Sequence, residues 1–471
     1  MADQIYDVAI LGAGPGGYVA AIRCAQLGKK VVVVEANHLG GICLNWGCIP
    51  TKALLRSAEV YHTIQNSEDF GISVKDVKFD FDKIVKRSRA VSEQLTKGIQ
   101  HLLKKNKVDV QNGFGRLKGK TGSYHKLSVT DSNGQVSEIT AAKVILATGA
   151  RARVIPGLEP DGQDIWTYKE AMVPKAMPKS LLVIGSGAIG IEFASFYATM
   201  GVDVTVVELL DRILPVEDEE ISKLARKAFE KKGIKIHTGA VVKKLAKDKK
   251  AVVAEMQFQD GAVQQISFDK VIVAVGIVGN TEDLGLELTK VKVDKNQIQV
   301  NEYCQTDEPG IYAIGDVAGA PWLAHKASHE GVMVAEHMAG SKDVHPMNRL
   351  DIPGCTYSSP QVASVGLTEA SAKAKGYSLK VGRFPFAGNG KALAMGEPEG
   401  LVKTIFDEKT GELLGAHMIG TEVTEMIQGY VIAKTMEATE SELMQTIFPH
   451  PTLSEMMHES VLDAYGRVIH M

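Results

Sequence analysis

The sequence predicts an α/β protein in which one parallel-sheet plan occurs twice in series and a third unit of different plan follows. Two observations carry this. An apolar run from Ile5 to Leu11 passes directly into Gly12, Ala13, Gly14, Pro15, Gly16 and Gly17 and then into an Ala-rich helical stretch. The same strand, glycine turn and helix recur from Leu181 through Gly185, Gly187 and Gly190. Beyond about residue 350 no glycine fingerprint is present, and strand-like runs alternate with amphipathic helices.

Each glycine set spells G-x-G-x-x-G, the spacing that gives a tight turn, a close backbone approach to a pyrophosphate and close helix-to-strand packing. A lone motif of this kind is weak. Here each is followed by a second strand, Lys30 to Val34 and Val204 to Val207, and each strand ends in a carboxylate 23 residues after the first glycine, Glu35 and Glu208. Such a carboxylate accepts hydrogen bonds from an adenosine ribose. Two complete fingerprints imply two Rossmann-like dinucleotide-binding domains and two dinucleotides. Glu208 would repel a 2′-phosphate, so the second site favours NAD over NADP. Arg212 lies beyond the strand end and reads as a solvated charge.

A chain of 471 residues exceeds the size at which one core usually splits. We expect boundaries at 1–149 and 150–276 for the two dinucleotide domains, 277–347 for a central segment and 348–471 for a C-terminal α+β domain. A net charge of −3 argues against nucleic-acid and anionic-membrane partners. Five scattered cysteines are too few for a secreted disulfide framework, which points to a reducing compartment, the cytoplasm unless a presequence has been removed. No apolar run approaches a membrane span of roughly 20 residues.

Taken in order, residues from about Val108 to Thr140 read as a small meander, and Lys143 to Ala147 as a separate buried strand closed by Thr148 and Gly149. Val271 to Val275, closed by Gly276, is its counterpart in the second unit. Ile311 to Ile314 leads into Gly315 and Asp316, a carboxylate at a strand end where a cofactor hydroxyl could be held; a turn-stabilising Asp is the plain alternative. A helix starting near Ala324 or His325 would present its N-terminus to negative charge. The last unit ends in PHPTLSE, with His450 and Glu455 spaced for acid–base work, although most such pairs are structural.

Between the fingerprints lies GICLNWGCIPTK, Gly41 to Lys52. An ideal helix would hold Cys43 and Cys48 about 8–9 Å apart, and a disulfide tolerates no more than about 7 Å between Cα atoms. If the two bond, the chain must break from regular helix, and Gly47 is the natural place. Pro50 suits a first helical turn, so regular helix should begin near Cys48 or Ile49, with Cys43 ahead of it or in a distorted turn. Lys52 then lies one turn after Cys48 on the same face. Two buried thiols or half of a zinc site remain alternatives; zinc needs two further ligands, and Cys24, Cys304 and Cys355 offer no second close pair.

GICLNWGCIPTK, both glycine fingerprints, YAIGD, LAHKA and HPTLSE, in this order over nearly the whole chain, resemble the pyridine nucleotide-disulfide oxidoreductases with a C-x4-C centre. The resemblance implies FAD held by Gly12, Gly14, Gly17, Glu35, Gly149, Asp316 and Ala324, and NAD held by Gly185, Gly187, Gly190, Glu208 and Gly276. It implies a redox disulfide in which Cys43 exchanges with substrate and Cys48 lies against the flavin, Lys52 favouring negative flavin with Glu192 as its acidic partner. It implies a homodimer through the C-terminal domain, in which His450, oriented by Glu455 and preceding a cis peptide at Pro451, serves the other subunit's cysteines. The expected reaction is reoxidation of a dihydrolipoyl group carried on a partner, the lipoyl domain of an acyltransferase or a glycine-cleavage carrier, with NAD as acceptor and no metal. Relatives that reduce glutathione favour NADPH through basic residues near the position of Glu208, and those that reduce mercuric ion carry a C-terminal cysteine pair; neither feature is present. A non-catalytic flavin-binding scaffold is the remaining alternative. One departure is Ile277, where many relatives have Arg.

Overall fold

A computed structural model describes residues 5–249 and 251–471. Two compact units form, one from 1–53, 85–153 and 276–347, the other from 54–84, 154–275 and 348–471.

In the first unit Ile5–Leu11 lies between Val31–Glu35 and Val136–Leu146, parallel to both, and Asp109–Asn112 extends the parallel edge beside Val31–Glu35. The central strands are rich in apolar residues because helices cover a parallel sheet on its faces: Val31, Val32, Val33 and Val34 are all buried. Ile311–Ala313 returns to the same sheet beside Val136–Leu146. Two sequence expectations change here. The residues from Val108 open a parallel edge strand instead of a meander, and Gly113, at φ +154, turns the chain out of it. The run Lys143 to Ala147 is the second half of one strand, Val136–Leu146, whose first half pairs antiparallel with Tyr124–Thr130. The stretch VSEITAAKVIL contains no Gly, Pro or Asn that would end a strand, so the chain continues from meander into parallel sheet unbroken.

Helices Pro15–Gln26 and Ala324–Ala339 pack against one another at glycine contacts. A Cβ at Gly331 would stand 2.7 Å from the Gly16 carbonyl oxygen, and one at Gly16 would stand 3.0 Å from that of Ala327.

The second unit repeats the parallel plan with strands in the order Lys235–His237, Asp203–Val207, Ser180–Ile184, Lys270–Val273 and Ile165–Trp166. An antiparallel three-stranded sheet of Val241–Asp248, Ala251–Gln257 and Val263–Phe268 stands beside it. The same unit carries an antiparallel sheet ordered Gly354–Thr356, Gln361–Gly366, Leu413–Gly420, Leu401–Asp407 and Leu379–Pro385. Helices Val423–Thr435 and Glu455–Ala464 cover it, with Met426, Ile427, Tyr430, Met456 and Val461 in their shared core. Among the described residues no helix is long and apolar enough to cross a membrane.

Candidate redox and dinucleotide sites

The cysteine segment folds as two helices with a break. Gly41–Trp46 is a short helix, Gly47 adopts φ −147 and ψ −116, and a new helix, Cys48–Gln65, starts at once. The break falls at Gly47 for a steric reason: a Cβ there would sit 3.1 Å from the Ile42 carbonyl oxygen and 3.4 Å from the Cys43 Cα. Folding the chain back in this way brings the two sulfurs together, which continuous helix would not do. Cys43 and Cys48 stand as half-buried thiols in hydrogen-bond contact. That hydrogen bond, with burial and the neighbouring Cys48 charge behind it, holds the Cys43 thiol far above its usual range, and Lys52 pulls the other way. A dithiol pair of this kind shares its protons, so the second thiolate is disfavoured while the first is present.

Several residues that sequence spacing did not single out hold the short helix. The Asn45 side-chain amide donates to the carbonyls of Leu39 (3.0 Å) and Gly41 (2.9 Å). Arg89 donates to the Asn45 carbonyl at 2.5 Å and to Ser92 Oγ at 2.6 Å, and its guanidinium lies 4.6 Å over the Trp46 ring. Nothing local in the sequence joins Arg89 to the cysteines.

The first glycine turn meets this segment directly. Gly40 donates to the Ala13 carbonyl at 2.8 Å, and a Cβ at Gly41, whose φ is +59, would sit 2.7 Å from the Gly14 Cα. Gly12 and Gly17 are closed positions: their Cβ atoms would stand 2.2 Å from the Ala147 oxygen and 1.9 Å from the Gly12 oxygen. Gly14 is open, with no heavy atom within 4 Å of where a Cβ would be. That is the shape a pyrophosphate requires, backbone exposed at the N-cap of a helix with the partial charge of its free N–H groups beyond. Glu35 is engaged at both oxygens, accepting from Ala13 N at 2.7 Å and Asn37 N at 2.8 Å. The residues therefore fit FAD.

Asp316 lies half-buried in the turn after Ile311–Ala313. Burial pushes its carboxyl up, Lys326 opposing and Glu330 assisting. Lys326, 2% exposed, donates to the carbonyls of Gly315 (3.1 Å) and Gly319 (2.8 Å) and pairs with Glu330 at 3.0 Å, while Glu330 accepts from Gly315 N at 2.7 Å. These two residues fasten the Asp316 turn to the helix that Ala324 begins. The Lys-x-x-x-Glu spacing was the available signal. Gly149, at φ +69, accepts from Asn280 N at 2.9 Å, and Gly276, at φ +103, accepts from Arg153 N at 3.0 Å; both sit where the chain leaves a parallel strand.

The second glycine turn reproduces the first. Cβ atoms at Gly185 and Gly190 would stand 2.4 Å from the Ala274 oxygen and 2.0 Å from the Gly185 oxygen, and Gly187 faces open space. Glu208 accepts from Ser186 N at 2.9 Å, Ser186 Oγ at 2.6 Å and Leu210 N at 2.9 Å. This cradle fits a second dinucleotide. Glu192, buried on the following helix, accepts from Tyr357 N at 2.9 Å.

The His450 and Glu455 side chains meet. His450 Nδ1 lies 2.9 Å from Glu455 Oε1, the imidazole is 78% exposed, and the His450–Pro451 peptide is cis. Burial pushes the Glu455 carboxyl up, but the Thr452 N–H and His450 outweigh it and hold it below its usual range. With Nδ1 engaged, Nε2 is the nitrogen that can take a proton. Among the described residues no cluster of three or more His, Cys, Asp or Glu side chains could hold a metal.

Comparison with known proteins agrees with this arrangement. The family described as pyridine nucleotide-disulphide oxidoreductase matches residues 6–331, and the dimerisation domain of that family matches residues 352–461. The dihydrolipoyl dehydrogenase of Zymomonas mobilis is 57% identical over all of both chains, and that of Bacillus subtilis is 48% identical over 99% of each. Among solved structures, LpdA from Mycobacterium tuberculosis aligns with a TM-score of 0.90 at 28% identity, covering 96% of this chain and 98% of that one.

Proposed function

Because the chain belongs to the pyridine nucleotide-disulphide oxidoreductase family, we propose how its own residues divide the work of a reaction whose class is established. The protein is an FAD- and NAD-dependent disulfide oxidoreductase with dihydrolipoyl dehydrogenase activity, and Cys43 and Cys48 form its redox pair.

A dihydrolipoyl thiolate attacks Cys43 in the Cys43–Cys48 disulfide, and the second substrate thiol displaces Cys43, releasing a cyclic lipoyl disulfide. Two enzyme thiols remain. His450 Nε2 takes the proton that frees the attacking thiolate, and Glu455 holds the imidazole in the tautomer that leaves Nε2 able to accept it. Cys48 and Lys52 are the side chains that would lie against the flavin. Bound FAD supplies the two-electron carrier between the thiols and the nicotinamide. Over one turnover the dithiol loses two electrons and two protons, of which NAD+ takes a hydride and solvent takes the remaining proton. Gly187 and Glu208 hold that nucleotide by its pyrophosphate and ribose.

The observation supporting this division is the docking of the thiol helix on the open glycine turn through Gly40 and Gly41. The base is proposed to come from a second copy of the chain, in keeping with the dimerisation-domain match and the outward-facing imidazole. The lipoyl group arrives on an acyltransferase lipoyl domain or a glycine-cleavage carrier, in the cytoplasm.

The test is a mixture of two inactive homodimers, Cys43→Ser and His450→Gln. Refolded together, they should recover activity with dihydrolipoamide and NAD, since one site in each hybrid is intact; absence of recovery refutes the shared site. Turnover of mercuric ion or glutathione disulfide with NADPH, and not of dihydrolipoamide with NAD, would refute the substrate.

A further inference from the structure

The segment from Leu209 to Glu217 joins the ribose carboxylate Glu208 to the helix Glu219–Lys231 and crosses the second glycine turn on the way. It touches that turn at Leu214, whose N–H donates to the Ser186 carbonyl at 3.1 Å. Leu214 has φ +45, a left-handed conformation that a leucine avoids unless its surroundings impose it. Two contacts impose it. Its carbonyl accepts from the Glu217 N–H at 2.9 Å and from Ser222 Oγ at 3.1 Å.

Glu217 itself is 8% exposed, and its Oε2 has no hydrogen-bond partner. The residue after it, Asp218, belongs to an ion cluster. Asp218 and Glu220 follow Glu217 on its own segment, and Glu369 comes from the helix Glu369–Ala374. Against these three carboxylates stand Lys403, from Leu401–Asp407, Arg383, from Leu379–Pro385, and Lys373, on the same helix as Glu369. Ser364, from Gln361–Gly366, hydrogen-bonds the Glu217 carboxyl, and Gly354 packs against it. His417, from Leu413–Gly420, faces Asp218; it is buried, and burial lowers its pKa, so it adds no charge. Ionising Glu217 would add a negative charge beside Asp218, with one oxygen lacking a hydrogen-bond partner. Burial accordingly pushes the carboxyl up to about 7, the Ser364 hydroxyl opposing and Asp218 assisting.

We infer that Glu217 is a positioning residue for the second nucleotide site: as a neutral acid it holds the 209–217 segment over the glycine turn, and as a carboxylate it turns toward water and loosens it. The inference rests on the reading of Gly187 and Glu208 as that site. Nucleotide binding and proton binding at Glu217 are then linked, and linkage is reciprocal.

The probe is ADP-ribose, which carries the pyrophosphate and ribose without the reactive ring, titrated calorimetrically into the FAD-loaded enzyme. Affinity should weaken by about fivefold or more between pH 6 and pH 8.5, and binding near pH 7 should take up protons, read from the heat in buffers of different ionisation enthalpy. Glu217→Gln, which keeps shape and neutrality, should bind tightly at both pH values with no proton uptake. Ser364→Ala keeps the acid and should move the midpoint to higher pH. If Glu217→Gln retains the wild-type pH dependence, or the wild type shows none, the inference is overturned. Glu208→Ala separates the two readings: it must weaken ADP-ribose at every pH, and failure to do so removes the site itself.

Discussion

Lys403 offers a quantitative test of what holds the second unit together. Its ammonium is 2% exposed and lies 2.8 Å from Asp218, 3.0 Å from Glu220 and 2.8 Å from Glu369. Asp218 also N-caps the helix Glu219–Lys231 through Glu220 N, and accepts from Glu369 N at 3.1 Å. Replacing Lys403 by Met keeps the length of the side chain and removes the charge. Three carboxylates are then left with Arg383 and, at Glu369, the exposed Lys373, and breaking a buried ion cluster from one side costs about 3–5 kcal/mol. The loss must depend on pH with a definite sign. Burial pushes the Asp218 and Glu220 carboxyls up, but hydrogen bonds led by Lys403 and Arg383 respectively hold both below their ordinary values, and Glu369 is lowered chiefly by Lys373 and Lys403. A carboxylate with a depressed folded pKa contributes stability above its unfolded pKa, and that contribution is lost as pH falls through the folded value. The variant's deficit should therefore be full at pH 7.5 and shrink as pH falls below about 4, the ordinary carboxylate range. The assay is urea unfolding of the FAD-loaded protein at fixed concentration, followed by circular dichroism. A deficit under about 1 kcal/mol at pH 7.5, or one that does not shrink as pH is lowered from about 4 to about 2.5, refutes the reasoning.

Gly17→Ala should fail to accumulate as folded protein, because its Cβ would overlap the Gly12 oxygen at 1.9 Å, whereas Gly14→Ala, with nothing within 4 Å, should fold and lose FAD; flavin absorbance per mole of soluble protein decides both. His450→Gln should lower kcat with dihydrolipoamide by about 10²- to 10⁴-fold while leaving FAD bound, and near-normal turnover would remove it as the base. Gly41→Ala should lose FAD and thiol chemistry together, since its Cβ at a left-handed φ would strike the Gly14 Cα, and retention of bound flavin would contradict the docking of the thiol helix. Lys326→Met should release the Asp316 turn and weaken FAD retention at pH 7.5, measured by flavin loss on gel filtration; unchanged retention would show that Glu330 alone suffices.

What the sequence made legible was local. A glycine fingerprint fits within six residues and its carboxylate follows at fixed spacing, so both cradles could be read from one strand-turn-helix unit. The helix break at Gly47 was legible for the same reason, as the conflict between helical rise and disulfide reach arises within Cys43 to Cys48. The supports were not. Arg89 reaches Asn45 across 44 residues, Lys403 reaches Asp218 across 185, and no periodicity links such partners. The long strand Val136–Leu146 reads in sequence as two elements because its pairing partner changes midway, from Tyr124–Thr130 to Ile5–Leu11, while its own residues show only a change in burial.

The two cradles differ little within themselves and much in what covers them. Both place an open glycine at a helix N-cap, with φ −67 at Gly14 and at Gly187, and both tie the strand-end carboxylate to the residue after the first glycine, Ala13 or Ser186. The first is covered by Gly40 and Gly41, packed close enough to exclude any side chain, and that cover carries the redox cysteines. The second is crossed by a loop that leaves Leu209 69% exposed and Val216 83% exposed, holding to the turn at Leu214. A close-packed cover suits a cofactor that stays bound through many turnovers. A loop that meets the turn through the Leu214–Ser186 backbone hydrogen bond suits a cosubstrate that must enter and leave in every cycle. The duplicated turn therefore sets what is bound, and the segment laid over it sets how long.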